Sequence, residues 1–315
     1  MANRITRNFL DQWRWLLLVM LFFLAACTNS EWFLSVLYNR ADNIMADEVF
    51  EYADYSDEQE QQIEAIIDHF HLWHRVTQLP EYADFLESIS SRMRSGEPVT
   101  HADIQSWYNQ VEAFADVSGR CHPILYGMEI MRSLSDDQVK QISDHMQHQY
   151  DRYMERSEKR TAEERLDRWY RNRVRWLNRF DLDPDNAEKE ALRAMLQEMP
   201  NMREANFELW QAWDRSLLEL LEDRDAPDFD DRMRAHIHSL ATLTEENYPD
   251  RVAKAQSLWI NYLVGLLNAR IRDQDNDFAD WADNMAENLR AISVKIPENQ
   301  ENLDPVEYCV AATIK

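Results

Sequence analysis

The sequence predicts an all-α fold, a multi-helix bundle of long amphipathic helices with no sheet. Three observations carry this. No stretch shows the alternation of a half-buried strand, and apolar residues recur at helical spacing instead. Only four glycines (Gly96, Gly119, Gly127, Gly265) occur in 315 residues, which leaves out tight hairpins and phosphate-cradling loops. A helix-opening signature also recurs along the chain, at Tyr55-Ser56-Asp57-Glu58-Gln59, Leu134-Ser135-Asp136-Asp137-Gln138, Leu182-Asp183-Pro184-Asp185-Asn186 and Leu243-Thr244-Glu245-Glu246-Asn247. Each copy has an apolar or aromatic lead-in, a capping hydroxyl or carboxylate, acids in the first turn and an amide three residues on, which is the capping box with charge set against the helix dipole. Their spacing is too uneven for a solenoid, so the repeat marks helix starts.

In chain order, Trp32-Phe33-Leu34 and Val36-Leu37-Tyr38 lead without a breaker into a helix over Ala41 to Tyr52. A second helix runs from Ser56 to about Thr77, with Ile63, Ile66, Ile67, Phe70 and His74 on one face. Pro80 begins another, with Tyr82, Phe85, Leu86 and Ile89 inward. Thr100 caps a helix through Val117, and Ser118-Gly119 breaks the chain before Cys121-His122-Pro123, so a subdivision near 118–134 is one reading of the domain. Long helices follow over Ser135 to Arg160, Thr161 to Phe180, Asp183 to Met199 and Pro200 to Asp223. Phe229 to Leu243, Pro249 to Arg272 and Phe278 to Val294 complete the set, and the tail from 296 to 315 reads as loosely held.

The start of the chain says where it goes. Arg4, Arg7 and Arg14 precede the uncharged run Trp15 to Leu24, short for a permanent span but suited to a signal peptide. Leu24-Ala25-Ala26-Cys27 resembles the lipobox of bacterial lipoproteins, in which small side chains admit the peptidase and the thiol carries the diacylglycerol. By that resemblance residues 1–26 are removed, Cys27 is lipidated, and residues 27–295 form a helical periplasmic domain. Several acyl chains anchor far more firmly than one. Thr28 after the cysteine, where an Asp would suggest retention at the inner membrane, points by the same resemblance to the outer membrane.

Charge narrows the partners. The full chain has 34 basic and 58 acidic residues, a net of −24; without residues 1–26 it has 31 and 57, a net of −26. So negative a chain does not suit nucleic acid or direct adhesion to anionic lipid. Cys121 and Cys309 remain as an even pair after Cys27, and in an oxidising compartment they form either a disulfide or two separate thiols.

Taken together, Leu37-Tyr38-Asn39-Arg40-Ala41-Asp42, the opener at Tyr55, Trp73-His74-Arg75, Leu79-Pro80-Glu81-Tyr82-Ala83, the opener at Leu134, the Arg-rich helix and Leu182 to Asn186 resemble a family of uncharacterised proteobacterial lipoproteins, over about residues 27–225. The resemblance implies lipidation and an all-helical periplasmic body, makes Trp73, His74, Arg75, Leu79, Pro80 and Tyr82 structural motif residues, and implies no activity. The departures are Asp183 to Asn186, where a Thr or Ser and a Gln are usual, and the tail bearing Cys309. The openers also look like the Leu-Thr-x-x-Gln signature of small periplasmic stress chaperones, a likeness confined to the cap.

Candidate sites are few. His69, His71 and His74 lie at about 240°, 80° and 20° on a helical wheel, so they do not converge on a metal, and His74 reads as a hydrogen-bonded core histidine. From Thr161 to Phe180 the aromatic and aliphatic residues share one side, while Arg165, Arg168, Arg171, Arg175 and Arg179 form a basic stripe on the other. That stripe reads either as a solvated face paired with the protein's own carboxylates or as a contact for an anion, such as an anionic envelope glycolipid or another envelope protein. Arg173, among the aromatics, calls for an acidic partner on a neighbouring helix. No zinc-protease, serine-hydrolase or phosphate-loop motif occurs. The expectation is a non-enzymatic binding or envelope-assembly factor with no cofactor or metal, with a periplasmic chaperone or envelope-stress sensor as the alternative.

Overall fold

The structure, a computed structural model, describes residues 31–305, 308 and 309. The predicted signal peptide and Cys27 lie outside the described residues. Within the described residues every regular element is helical. Helices α1 (Glu31–Tyr38) and α2 (Ala41–Phe50) precede α3 (Asp57–Trp73), which passes through a π-helical turn (His74–Gln78) into α4 (Leu79–Arg94). Next come α5 (His101–Arg120), a 3₁₀ turn (Pro123–Tyr126), α6 (Met128–Ser133) and α7 (Asp136–Glu158). Helices α8 (Ala162–Asn178), α9 (Asn186–Glu198), α10 (Arg203–Glu222), α11 (Phe229–Ser239), α12 (Leu243–Asn247), α13 (Pro249–Arg272) and α14 (Asp277–Ser293) follow, and a last 3₁₀ turn covers Glu298–Gln300.

Two of the four openers form the predicted caps. Ser56 and Gln59 make a reciprocal box at the start of α3, and Ser135 and Gln138 do the same at α7. Leu134 and Val139, on either side of the second box, are buried in one cluster as a staple would have them. These boxes also meet. The Gln138 amide donates to Gln59 Oε1 at 2.7 Å and to the Asp54 carbonyl at 2.9 Å, while the Gln59 amide reaches Ser133 Oγ at 3.0 Å. The other two openers differ. Asp185, not Asp183, caps α9 and pairs with Glu188, because Arg270 takes the carbonyls of Leu182 and Asp183 together with the Glu188 carboxylate. Thr244 lies inside the short α12 rather than capping it.

Three boundaries also differ from expectation. The chain does not break between Thr77 and Pro80. Proline has no N–H to give the Val76 carbonyl, and the helix widens by one residue instead, with the Leu79 N–H bonded to the His74 carbonyl and Thr77 Oγ1 donating to the Trp73 carbonyl at 2.7 Å. Ser118-Gly119 does not end α5, which continues to Arg120: one helical glycine costs only about 1 kcal/mol, and Ser118 is fully buried beside Tyr82. The tail is not loose where it is described, since Gln300 is fully buried and Tyr308 nearly so.

Helix α14 lies along α4, the most extensive helix–helix packing among the described residues. Leu289 and Ile292 of α14 bury against Leu79 and Ala83 of α4 and Leu34 of α1. Exposed ion pairs edge the seam, Arg94 with Asp280 and Asp283 and Arg290 with Asp84 and Glu87, each adding little in water. A second apolar cluster joins α8, α9 and α13 through Leu177, Leu192 and Leu266, and a third joins the 125–146 region to α10 through Leu220 and Leu221 and to α11 through Phe229 and Met233. Residues of the segment 118–134 enter that third cluster through Leu125, Met128 and Leu134.

Candidate functional site

The motif residues around His74 and Arg75 gather at the π-turn, and all but Pro80 are buried. The wide turn keeps His71, His74 and Arg75 on the inner side of one continuous helix. Arg75 has no exposed surface. Its Nη1 donates to the carbonyls of Ile292 at 3.0 Å and Lys295 at 2.8 Å, its Nη2 donates to Asn39 Oδ1 at 2.7 Å, and its guanidinium lies over the Tyr38 ring at 4.6 Å. A buried cation needs such a set, and here α1, the π-turn and the end of α14 each supply part of it.

His74 sits between two phenols, with the Tyr38 hydroxyl 2.8 Å from Nδ1 and the Tyr82 hydroxyl 3.4 Å from Nε2; Tyr82 reaches on to Ser118 Oγ at 3.4 Å. Burial, then the Arg75 charge, pushes both His74 and His71 down to about 3, so both imidazoles are neutral near pH 7. Burial pushes Tyr82 up to about 12 and Tyr38 higher still. Near pH 7 the cluster therefore pairs neutral imidazoles with un-ionised phenols.

His71 faces the tail. Its Nδ1 is 3.0 Å from Gln300 Nε2 and 3.7 Å from Asp42 Oδ2, and the same amide nitrogen lies 3.2 Å from Asp42 Oδ2 and 3.4 Å from Asp68 Oδ1. Burial raises the Asp68 pKa, against the hydrogen bond from Gln300. His69 turns away to the Ala65 carbonyl of its own helix, 2.7 Å from Nδ1. No group of three or more His, Cys, Asp or Glu is placed to hold a metal among the described residues. Cys121 and Cys309 are joined by a disulfide, with Cα atoms 5.5 Å apart.

The arginine stripe occupies the outer face of α8. Thr161 and Glu164 cap the helix with a reciprocal box, and Leu177 is fully buried with Trp169, Tyr170, Val174 and Trp176 packed around the same core. Arg168, Arg171, Arg175 and Arg179 are exposed and Arg165 is half-buried. At 1.5 Å per residue the ridge runs ~21 Å. Among the described residues none of the five makes an ion pair. Arg165 donates to the Arg160 carbonyl, and Arg175 donates to Asn172 Oδ1 at 2.6 Å. Asp167, next to Arg168 in sequence, is taken by Arg193 of α9 at 2.6 Å, and Glu164 closes the cap with Thr161. The stripe is therefore not paired with the protein's own carboxylates, in contrast to Arg92, Arg94, Arg132, Arg224, Arg232, Arg270 and Arg290. Arg173 lies with its guanidinium 5.5 Å from the centre of the Trp259 ring on α13.

A second buried ionisable group escapes the sequence reading. Asp214 of α10 is 5% exposed, accepts a hydrogen bond from the Tyr150 hydroxyl of α7, and is pushed up to about 7 by burial. Neither residue stands in a motif. The one signal is an acid on the apolar side of α10, next to Trp213. Gln300 and Asp42 are likewise found only through the fold, being 258 residues apart.

Residues 51–249 match the family described as "Family of unknown function (DUF6279)". The match begins after the Tyr38 to Asp42 segment that supplies part of the Arg75 set, and it extends past the end expected from sequence. No curated protein and no solved structure matches the chain.

Proposed function

The chain belongs to this family of unknown function, and on that footing we propose that it is a non-enzymatic envelope protein that binds an anionic glycolipid through the α8 ridge. In this reading lipid on Cys27 holds it to the periplasmic face of an outer membrane. The anchor is supported by the order Leu24-Ala25-Ala26-Cys27 behind an apolar run. No helix among the described residues is long and apolar enough to cross a membrane, which is compatible with an anchor of that kind.

The observation that carries the proposal is the ridge itself. In a chain of net charge −24, acids are plentiful, yet among the described residues these arginines pair with none while arginines elsewhere do. Guanidinium forks match phosphate and carboxylate oxygens two at a time, and four exposed forks on one helix side offer a row of them. Beyond a Debye length of about 8 Å the field of an exposed row is largely screened, so the ligand must come into contact.

The test is co-sedimentation with vesicles carrying a phosphorylated glycolipid. The parent is expected to bind, less as salt rises, and R168E/R171E to lose most of that binding. A variant that binds as the parent does, or a parent that ignores the phosphate groups, would overturn the reading. The alternative of a chaperone or stress sensor would have to use exposed apolar surface; the exposed large hydrophobic side chains are Ile44, Tyr108, Val294 and Ile296.

A further inference from the structure

The tail is seated by contacts that do not satisfy one another. The Gln300 amide nitrogen has two hydrogens and three acceptors within reach, Asp42 Oδ2, Asp68 Oδ1 and His71 Nδ1. Its Oε1, His71 Nε2 and the Tyr308 hydroxyl are buried without a partner among the described residues. Each such group opposes docking at least as strongly as an ordinary hydrogen bond favours it. In favour stands the Tyr308 ring, stacked on Tyr126 at 4.4 Å and 6.1 Å from both Phe70 and Trp73. Beyond Glu298–Gln300 no regular element holds the described part of the tail. The Tyr126 hydroxyl also donates to the Tyr308 carbonyl at 3.4 Å and the Asn299 amide reaches Asp68 Oδ1 at 3.3 Å, both weak, and to these is added the covalent bond that ties Cys309 to a position 188 residues earlier in the chain.

The two sulfurs differ in access. Cys121 is 1% exposed at the end of α5, whereas Cys309 is half-buried on the tail. We propose that the Cys121–Cys309 disulfide is a redox modification site, at which a dithiol reductant releases the tail and opens the Asp42–Asp68–His71 seat to water. One thiolate of the reductant attacks Cys309 Sγ. The sulfur–sulfur bond breaks, and Cys121 leaves as a thiolate and takes up a proton. The second thiol of the reductant then attacks the mixed disulfide, which frees the Cys309 thiol and leaves the reductant oxidised by two electrons. Once the tail has gone, Gln300, His71 and Tyr308 can all complete their hydrogen bonds with solvent. Release of the tail by reduction requires neither the lipid anchor nor the α8 ridge.

The experiment uses the intact oxidised protein in dithiothreitol without denaturant, followed by alkylation, mass measurement and hydrogen exchange. Alkylation of both Cys121 and Cys309 is expected, with exchange over residues 298–305 rising about tenfold or more while α4 and α14 keep their protection. A bond that resists the dithiol in the native protein overturns the proposal, as does a reduced tail that stays protected. Loss of protection in α4 and α14 along with the tail also overturns it, because the bond would then be a clamp for the whole body. C309S is expected to show the open tail without any reductant, and a protected tail in that variant counts against the proposal equally.

Discussion

Arg75 and the α8 arginines carry the same guanidinium in opposite settings. Arg75 is sealed off from water and gives hydrogen bonds to the carbonyls of residues 292 and 295 and to Asn39. The α8 ridge faces solvent and pairs with no carboxylate among the described residues. The buried cation gives its Nη hydrogen bonds to partners from both ends of the chain and becomes a tie between them, while its Nε is buried without a partner among the described residues. The exposed ones ask nothing of the fold, which leaves them available to something else. The setting, rather than the residue type, divides structural arginines from candidate binding arginines.

The largest effect expected from breaking this contrast is at Arg75. R75A should lower unfolding stability by ~2–4 kcal/mol in urea titration, since it empties a fully buried side-chain site and leaves the Ile292 carbonyl buried without its donor. A loss below ~1 kcal/mol would remove the distinction between the two regions.

Titration sharpens the same contrast. His71, His74 and His122 are held at about 3 in the folded chain, chiefly by burial. The stability they contribute is complete above the ordinary histidine value of about 6.5 and is lost as pH falls toward 3. Asp214, pushed up to about 7, acts in the other direction: its contribution is complete below about 4 and is lost as pH rises through 7. These three histidines by themselves make stability climb from about pH 4 to 6.5, at up to ~1.4 kcal/mol per unit for each, and Asp214 works against them. D214N should steepen the climb, as urea midpoints across that range would report; an unchanged slope would mean that Asp214 ionises normally.

The smallest effect belongs to the ridge. R168E/R171E, the variant expected to lose glycolipid binding, should change stability by no more than about 0.5 kcal/mol. A larger loss would mean that the ridge supports the fold after all.

Local chemistry was legible in the sequence and distant pairing was not. Ser56 with Gln59 and Ser135 with Gln138 could be read because each box closes within one turn. Asp183 was preferred to Asp185 because either acid suits a helix start, and the choice is made by Arg270, far along the chain. Pro80 looked like a beginning because a proline forbids one hydrogen bond, but a π-turn tolerates its loss. The stripe on α8 could be drawn on a wheel, yet whether acids would meet it depended on Asp167 turning to Arg193. Nothing near Gln300 announces a buried amide, and the partners of Arg75 lie more than 200 residues away at one end.

The joined glutamines at the heads of α3 and α7 have a consequence for the order of assembly. Ser56 can cap its helix as soon as that turn exists, but Gln59 is only covered when Gln138 arrives 79 residues later. A polypeptide that emerges from its N-terminus must therefore carry α3 half-finished until the first turn of α7 has been delivered. The stretch between them is a waiting interval built into the length of the chain.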